Sequence, residues 1–173
     1  ADLQTDEFGP YQRAVFRRVM EEEPDLILLA GDYFQAGRRE WEALRVELIA
    51  YLDELDFSAP AGVFAVRGNI EPDGWARIFE GLPVTAVESS RSFELADLRL
   101  TCLSVGDSRD TALEVTHDEA DRFHLVLGHS PDYALGRIEA DLLVAGHTHG
   151  GQVRLPLVGP LVTLSRGPRA WAA

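Results

Sequence analysis

Four polar side chains directly follow apolar stretches of the chain, and each is preceded by a glycine: Asp32, Asn69, His129 and His147. Carboxylate, amide and imidazole groups together form a mixed set of oxygen and nitrogen ligands that suits divalent transition metals. A glycine before each ligand lets the backbone turn sharply and approach closely. Any one of these residues could be a turn former or a helix cap. The four together, with His149 in the stretch Gly-His-Thr-His-Gly-Gly, predict a metal site.

The elements that must position these residues can be read from the hydrophobic pattern. Short apolar runs predict buried strands, and apolar residues at helical spacing predict helices. Stretches rich in Val, Leu, Phe and Thr with partial alternation predict three antiparallel strands. The strands are expected at 26–30, 62–66, 123–127 and 141–145, the helices at 10–23, 39–56, 75–79 and 131–138, and the antiparallel strands within 84–105. This order predicts a mixed α/β layered protein, in which ligands bind beyond the carboxyl ends of the strands.

Composition excludes several classes of function. The 173 residues are 46% hydrophobic and 26% charged, so we expect residues 1–173 to form a single globular domain with a substantial core. The net charge of −13 gives little support to a surface that follows nucleic-acid phosphates. The chain contains no lysine, which excludes enzymes that use a P-loop lysine, a Schiff-base lysine or a kinase-type lysine.

The compartment is indicated only indirectly. Cys102 is the single cysteine, so no intramolecular disulfide can form, and no apolar run has the length of a membrane span. We therefore expect a cytoplasmic location.

The order and spacing of the motifs resemble those of the calcineurin-like metallophosphoesterases. The family motifs are Asp-x-His, Gly-Asp, Gly-Asn-His, a later His often followed by x-Pro, and Gly-His-x-His. The resemblance covers nearly the whole chain, and its most specific part is the run GHTHGGQ. The corresponding residues are Asp2-Leu3-Gln4, Gly31-Asp32, Gly68-Asn69-Ile70, His129-Ser130-Pro131 and Gly146-His147-Thr148-His149.

This resemblance implies a four-layer α/β/β/α sandwich of mixed β-sheets flanked by helices, with two divalent metal ions (Mn, Fe or Zn) at its edge. Asp32 would bridge the metals. Asp2, Gln4 and His149 would complete the first metal site, and Asn69, His129 and His147 the second. The resemblance implies catalytic roles for Asp32, Asn69 and His147. It also leads us to expect missing terminal strands, because no strand precedes Asp2.

The implied function is metal-dependent phosphohydrolysis, of the phosphodiesterase or pyrophosphatase type, by a water molecule that the metals activate. Two departures from the family pattern bear on this activity. Gln4 replaces a histidine ligand with an amide oxygen, a weaker ligand for most transition metals. Ile70 replaces the histidine that assists the phosphoryl group and the leaving group, which favours substrates with good leaving groups. The resemblance implies a phosphorylated small molecule or a lipid-linked phosphate as substrate, and a lipid-linked substrate would place the chain at the periphery of a membrane. We expect no nucleic-acid partner.

Two alternatives stay open at this point. A catalytically degenerate relative would bind metal or a partner protein without turnover, and Gln4 and Ile70 favour that reading. His117 could replace the missing acid, although its setting is more typical of an exposed helix start. Arg67 and Arg109 could contact a substrate phosphate, but surface ion pairs are commoner for arginines in such a chain.

Overall fold

The computed structural model describes residues 1–35, 37–116, 122–151, 154–155, 159–160 and 163–172. Two α-helices and a series of short strands form the architecture, and 3-10 helices connect several of them. The helices are α1 (Pro10–Glu21) and α2 (Arg38–Glu54). The strands are β1 (Ile27–Leu29), β2 (Val63–Val66), β3 (Val84–Val87), β4 (Arg91–Leu95), β5 (Leu98–Cys102), β6 (Glu114–Val115), β7 (Phe123–Leu127), β8 (Arg137–Ile138), β9 (Leu142–Val144), β10 (Arg154–Leu155) and β11 (Gly159–Pro160). The 3-10 helices are Trp75–Phe79, Asp107–Arg109, Pro131–Leu135 and Arg169–Ala172.

The first sheet is parallel, with strand order β1-β2-β3. Every residue of β2 is buried, as expected for a central strand that is covered on both faces. One face packs against α1, α2 and the 3-10 helix at 75–79 through a core that is rich in aromatic residues. Within this core the Tyr33 and Trp75 rings stack at 5.9 Å, and Phe16 meets Phe57 edge to face at 5.5 Å.

The second sheet has the order β4-β5-β7-β9, in which β4 is antiparallel to β5 and the other pairs are parallel. The two sheets pack face to face through a second core. Phe64 of the first sheet contacts Phe93 of the second, with their ring centroids 4.8 Å apart. The buried residues of this core are Ala30, Phe64, Val66, Val87, Leu100, Cys102, Leu125 and Leu127. The predicted mixed α/β class is therefore confirmed.

Two details of the predicted topology are wrong. The stretch at 84–87 is not part of an antiparallel set: β3 pairs in parallel with β2 in the first sheet, and only β4 and β5 form the expected hairpin. The helix predicted over 131–138 is a 3-10 helix, Pro131–Leu135, followed by β8. β8 ends the helix early because it pairs with β6.

The outer face of the second sheet is covered differently from the first. In the part of the chain that the structure describes, a small core of Leu103, Val126 and Tyr133 lies here, against residues of β6 and β8. The helical fourth layer stays a prediction. No helix among the described residues is both long and apolar enough to cross a bilayer.

Cys102 and His124 both lie in the interior. Cys102 is fully buried between the sheets, and burial raises the pKa of its thiol to about 12. His124 is buried on β7, where its Nε2 lies 2.8 Å from Thr101 Oγ1 and its Nδ1 lies 3.1 Å from the Glu139 carbonyl oxygen. Both residues belong to the scaffold.

Candidate metal centre

The polar residues that follow β1, β2, β7 and β9 lie at one edge of the sandwich, because the carboxyl ends of these parallel strands point the same way. The first residues of the chain join this edge. The amide of Asp2 donates to the Gly31 carbonyl at 3.0 Å, and the amide of Thr5 donates to the Tyr33 carbonyl at 3.2 Å. The amide of Gln4 donates to the Asp32 carbonyl at 2.8 Å. This pairing sets Asp2 and Gln4 alongside Asp32.

Strained backbone is concentrated at this edge. Asp2, Gln4, Asp32, His147 and His149 all have φ between 39° and 70°. This left-handed region is uncommon for residues other than glycine, and such strain persists only where the surrounding structure imposes it. Most of the candidate ligands are thus held in conformations that an unconstrained loop would avoid.

Asp32, His129 and His147 form one group, in which one ligand atom of each residue lies within 4.8 Å of the others. His129 Nε2 is 3.1 Å from His147 Nδ1 and 3.4 Å from Asp32 Oδ1. Asn69 joins this group, since its Oδ1 is 3.0 Å from His129 Nε2. Asp32 and His129 are almost completely buried, whereas Asn69 is exposed.

The outer nitrogen of each of these histidines faces a backbone carbonyl. His129 Nδ1 lies 2.7 Å from the Ala30 oxygen, and His147 Nε2 lies 3.2 Å from the Leu164 oxygen. A carbonyl only accepts hydrogen bonds, so these outer nitrogens carry the protons. The inner nitrogens, His129 Nε2 and His147 Nδ1, then present lone pairs to each other.

The charge state of His129 agrees with this arrangement. Burial lowers the pKa of His129 below its ordinary value, against the opposing effects of its hydrogen bond to Ala30 and the charge of Asp32. The neutral imidazole is the form that binds metals. When both rings are neutral, their inner nitrogens, the Asn69 amide oxygen and the Asp32 carboxylate present lone pairs to one another, which is the arrangement that a cation stabilises.

Asp2, Asp32 and His149 form a second group, again with one ligand atom of each within 4.8 Å of the others. The amide of His147 donates to Asp2 Oδ1 at 2.9 Å. The Gly-His-x-His loop, which follows a strand of the second sheet, therefore holds the carboxylate of Asp2, which lies beside the first sheet. Gln4 lies beside this group because its backbone amide donates to the Asp32 carbonyl, and Gln4 is half-buried. Asp32 belongs to both groups.

The Asp32 carboxylate is oriented by the loop that follows β2. Its Oδ1 accepts the amides of Asn69 at 2.9 Å and Ile70 at 3.3 Å. Gly68 makes this approach possible, because a methyl group there would overlap both the carboxylate and the backbone of Asp32. The Gly-Asp and Gly-Asn motifs are therefore parts of one packed unit.

Glu71 is a residue that the sequence motifs did not indicate, although it contacts both loops that carry candidate ligands. Its buried carboxylate accepts three backbone amides: Asp32 at 3.1 Å, Gly68 at 2.7 Å and Tyr33 at 2.6 Å. Burial raises the pKa of Glu71, although these hydrogen bonds oppose the shift. Glu71 ties the two ligand loops together. Its position three residues after Gly68, from which a side chain can reach back to that amide, was the available signal.

Arg67 and Arg109 belong to neither group of candidate ligands. Arg67 donates to the Glu71 carbonyl at 2.7 Å and pairs with Asp73 at 3.1 Å, so the prediction of a structural ion pair is confirmed. Arg109 is exposed on a 3-10 helix. His117 lies outside the described residues. Ile70 borders a cleft of about 430 Å³ that Phe34, Trp41, Glu42, Pro72, Asp73 and Arg77 also line.

Comparison with known proteins agrees with this geometry. The model of the calcineurin-like phosphoesterase family matches residues 1–151. The phosphodiesterase YaeI of Escherichia coli (strain K12) is 33% identical over 160 residues, which are 81% of this chain and 54% of that protein. The uncharacterized metallophosphoesterase YkuE of Bacillus subtilis (strain 168) is 27% identical over 168 residues, 87% of this chain and 56% of that protein. The chain thus spans about half the length of these relatives. The chain belongs to the calcineurin-like phosphoesterase family.

Proposed function

We propose that this chain hydrolyses phosphodiester or pyrophosphate bonds with two divalent metal ions. The observation that carries the proposal is the convergence of acceptor atoms from Asp32, Asn69, His129 and His147, which present lone pairs to one another. The second group, at Asp2, Asp32 and His149, supplies a neighbouring place for a cation. Both groups share Asp32, so its carboxylate is the proposed bridge.

The chemistry of the donors fits manganese, iron or zinc, because imidazole nitrogens and carboxylate oxygens are mixed. Bound at these positions, such ions would neutralise the charge on phosphoryl oxygens and lower the pKa of a water molecule that attacks phosphorus. The chain's own contribution is rigidity: the Ala30 and Leu164 carbonyls fix the two rings, and the amides of Asn69 and Ile70 fix the Asp32 carboxylate.

Ile70 limits the choice of substrate. Its side chain can neither donate a proton nor bind a phosphoryl oxygen, so the leaving oxygen receives no help from this position. The preferred substrates are therefore those with a stable leaving group, such as an aryl diester or a phosphoanhydride. The cleft beside Ile70 is a suitable place for the organic part of the leaving group, because aromatic and aliphatic side chains line it together with Arg77.

The proposal also covers the class of substrate and the cellular location. The net charge of −13 argues against a nucleic-acid substrate. A phosphorylated small molecule or a lipid-linked phosphate, encountered from the cytoplasm, is the substrate class that we propose.

The first test measures metal content and turnover on one preparation. Protein purified without chelator is analysed for metals, and hydrolysis of bis(4-nitrophenyl) phosphate is followed with added Mn²⁺. We expect two metals per chain and a loss of turnover of about 10³-fold or more in Asp32→Ala, since this residue belongs to both groups. Asp110→Ala, which removes an exposed carboxylate that belongs to neither group, is the matched control.

Two results would contradict the proposal. Equal rates on alkyl and aryl diesters would refute the proposed dependence on the leaving group. Metal binding without turnover on any phosphoester would favour the second candidate function, a metal-binding or partner-binding module, for which Gln4 and Ile70 are the supporting observations.

A further inference from the structure

The carbonyl that fixes His147 belongs to a segment beyond the part of the chain matched by the family model, which ends at residue 151. His147 Nε2 faces the Leu164 oxygen at 3.2 Å. Leu164 has a φ of 54°, a left-handed conformation that leucine rarely adopts. Its side chain is 72% exposed, so side-chain packing does not account for this conformation.

The segment is held by a buried carboxylate. Asp132, only 6% exposed, accepts the Ser165 hydroxyl at 2.7 Å and the Arg166 amide at 2.8 Å on the same oxygen, Oδ1. The Ser165 hydroxyl also accepts the Gly167 amide at 3.0 Å. The two residues that follow Leu164 are therefore fastened to Asp132, and this attachment sets the direction of the Leu164 carbonyl.

Asp132 is also close in sequence to the other histidine of the pair. It lies on the 3-10 helix Pro131–Leu135, whose cap Ser130 directly follows His129 and accepts the Asp132 amide at 3.3 Å. Asp132 is thus linked to both histidines. It lies three positions after His129 in the chain, and it holds the segment whose Leu164 carbonyl faces His147 Nε2.

We infer that Asp132 is a positioning residue for the histidine pair, which it keeps in a metal-binding arrangement by fastening residues 164–166 under His147. The inference rests on the proposed function in one respect, namely that His147 is a metal ligand. Outer-sphere partners of metal-bound histidines fix the tautomer and the orientation of the ring, and their loss weakens metal binding. Release of the 164–166 segment would leave His147 Nε2 without its acceptor and allow the ring to turn.

The inference predicts an effect on one metal site only. Asp132 is connected to His129 and His147, which belong only to the first group, whereas Asp2 and His149 belong only to the second. Asp132→Ala should weaken one Mn²⁺-binding event about 10- to 100-fold and leave the other unchanged. Asp132→Asn keeps the accepting oxygen and should restore nearly the wild-type affinity. Isothermal titration with Mn²⁺ measures both events.

A second measurement is independent of metal. The ¹⁵N shifts of the His147 ring in metal-free protein report its tautomer, and the wild type should show the proton on Nε2. Asp132→Ala should show a mixture of tautomers, whereas Asp110→Ala, a carboxylate that accepts the Ala112 amide elsewhere in the same layer, should match the wild type.

The outcomes separate this inference from the proposed function. A wild type that binds no Mn²⁺ but shows the Asp132-dependent tautomer would refute the metal site and support the positioning role. Wild-type Mn²⁺ affinity and an unchanged tautomer in Asp132→Ala would overturn the inference. If Asp132→Ala does not fold, Ser165→Ala decides, because it keeps the Asp132 side chain and removes the two hydrogen bonds of the Ser165 hydroxyl, one donated to Asp132 and one accepted from the Gly167 amide. We expect a loss of about 3- to 10-fold in one binding event, and wild-type behaviour would overturn the inference.

Discussion

At the scale of single residues, the site is determined by which atoms can accept and which can donate. His129 and His147 each use one nitrogen for a backbone carbonyl, and the other nitrogen faces the cluster. The two histidines donate to backbone carbonyls, whereas the Glu71 carboxylate accepts hydrogen bonds from backbone amides of both ligand loops. The aliphatic side chain of Ile70 has no donor or acceptor atom, although the Ile70 amide donates to the Asp32 carboxylate.

Ile70→His should therefore add the missing proton donor. Ile70 borders both Asp32 and the cleft, so a histidine there would lie beside the cleft that we propose for the leaving group. General acid catalysis is typically worth about 10²- to 10⁴-fold, and we expect a rise in kcat of about 10- to 100-fold on an alkyl diester, because the surrounding pocket is not adapted to a histidine. The rate on the nitrophenyl diester should change little.

Ile70→Gln is the control for polarity without proton transfer, and it should raise neither rate. An equal effect of Ile70→His on both substrates would show that the leaving group does not need a proton from this position.

At the scale of elements, the loops after β1 and β2 behave as one packed unit. Gly68 lies against Asp32, and Gly31 lies against Gly68 and His129: a methyl group on Gly31 would come within 2.8 Å of His129 Nδ1. These glycines are needed for close approach as well as for turning. The turn at the end of each strand thus determines how closely the two loops pack.

Gly68→Ala should damage both the fold and the site. A methyl group there overlaps the Asp32 backbone and carboxylate, neither of which can move without disturbing the amides of Asn69 and Ile70. We expect the free energy of unfolding to fall by about 1–3 kcal/mol, the usual cost of overpacking, and Mn²⁺ affinity to fall with it.

Gly106→Ala is the matched control, because φ is −65° at Gly106 and a methyl group there would meet only Ser104 Oγ at 3.7 Å among the described residues. Its stability should stay within about 0.5 kcal/mol of the wild type. Urea unfolding of both variants gives the comparison, and equal stabilities would contradict the close packing of the two loops.

At the scale of the whole molecule, the metal cluster depends on the packing of two sheets. Asp32 and Asn69 follow strands of the first sheet, whereas His129 and His147 follow strands of the second. The core between the sheets, with Phe64 against Phe93 at 4.8 Å, therefore sets the distance between the halves of the site. Any opening of the sandwich should separate the ligands.

Cys102 reports on this packing. Its thiol lies in the core between the sheets, fully buried, with a pKa raised to about 12. The thiolate is the reactive form, so the native protein should react with a disulfide reagent at pH 8 only through unfolding, and the rate should rise with urea. An exposed thiol in Cys102→Ala/Ser89→Cys should react at once, since Ser89 is exposed. Rapid, stoichiometric reaction of native Cys102 would contradict the closed sandwich.

By itself, the sequence determined the strands and the residues that follow them. Continuous apolar runs predict buried strands from local pattern alone, and a glycine followed by a polar residue marks the turn at each strand end. Asp32, Asn69, His129 and His147 could be identified in this way, and β1, β2, β7 and β9 lie within one residue of their predicted bounds. His149 could be identified from the same stretch as His147, and the family motifs extended the set to Asp2 and Gln4. The structure brings all three to the same edge.

Only the tertiary structure decided the contacts that make these residues a site. The pairing of β3 with β2, the three amides accepted by Glu71, and the fastening of residues 164–166 by Asp132 join segments that are distant along the chain. His129 and the Ala30 carbonyl that orients its ring are separated by 99 positions. Local patterns carry no information about such partners, because a hydrogen bond between distant residues depends on how the sheets and loops pack, and packing is a property of the complete fold.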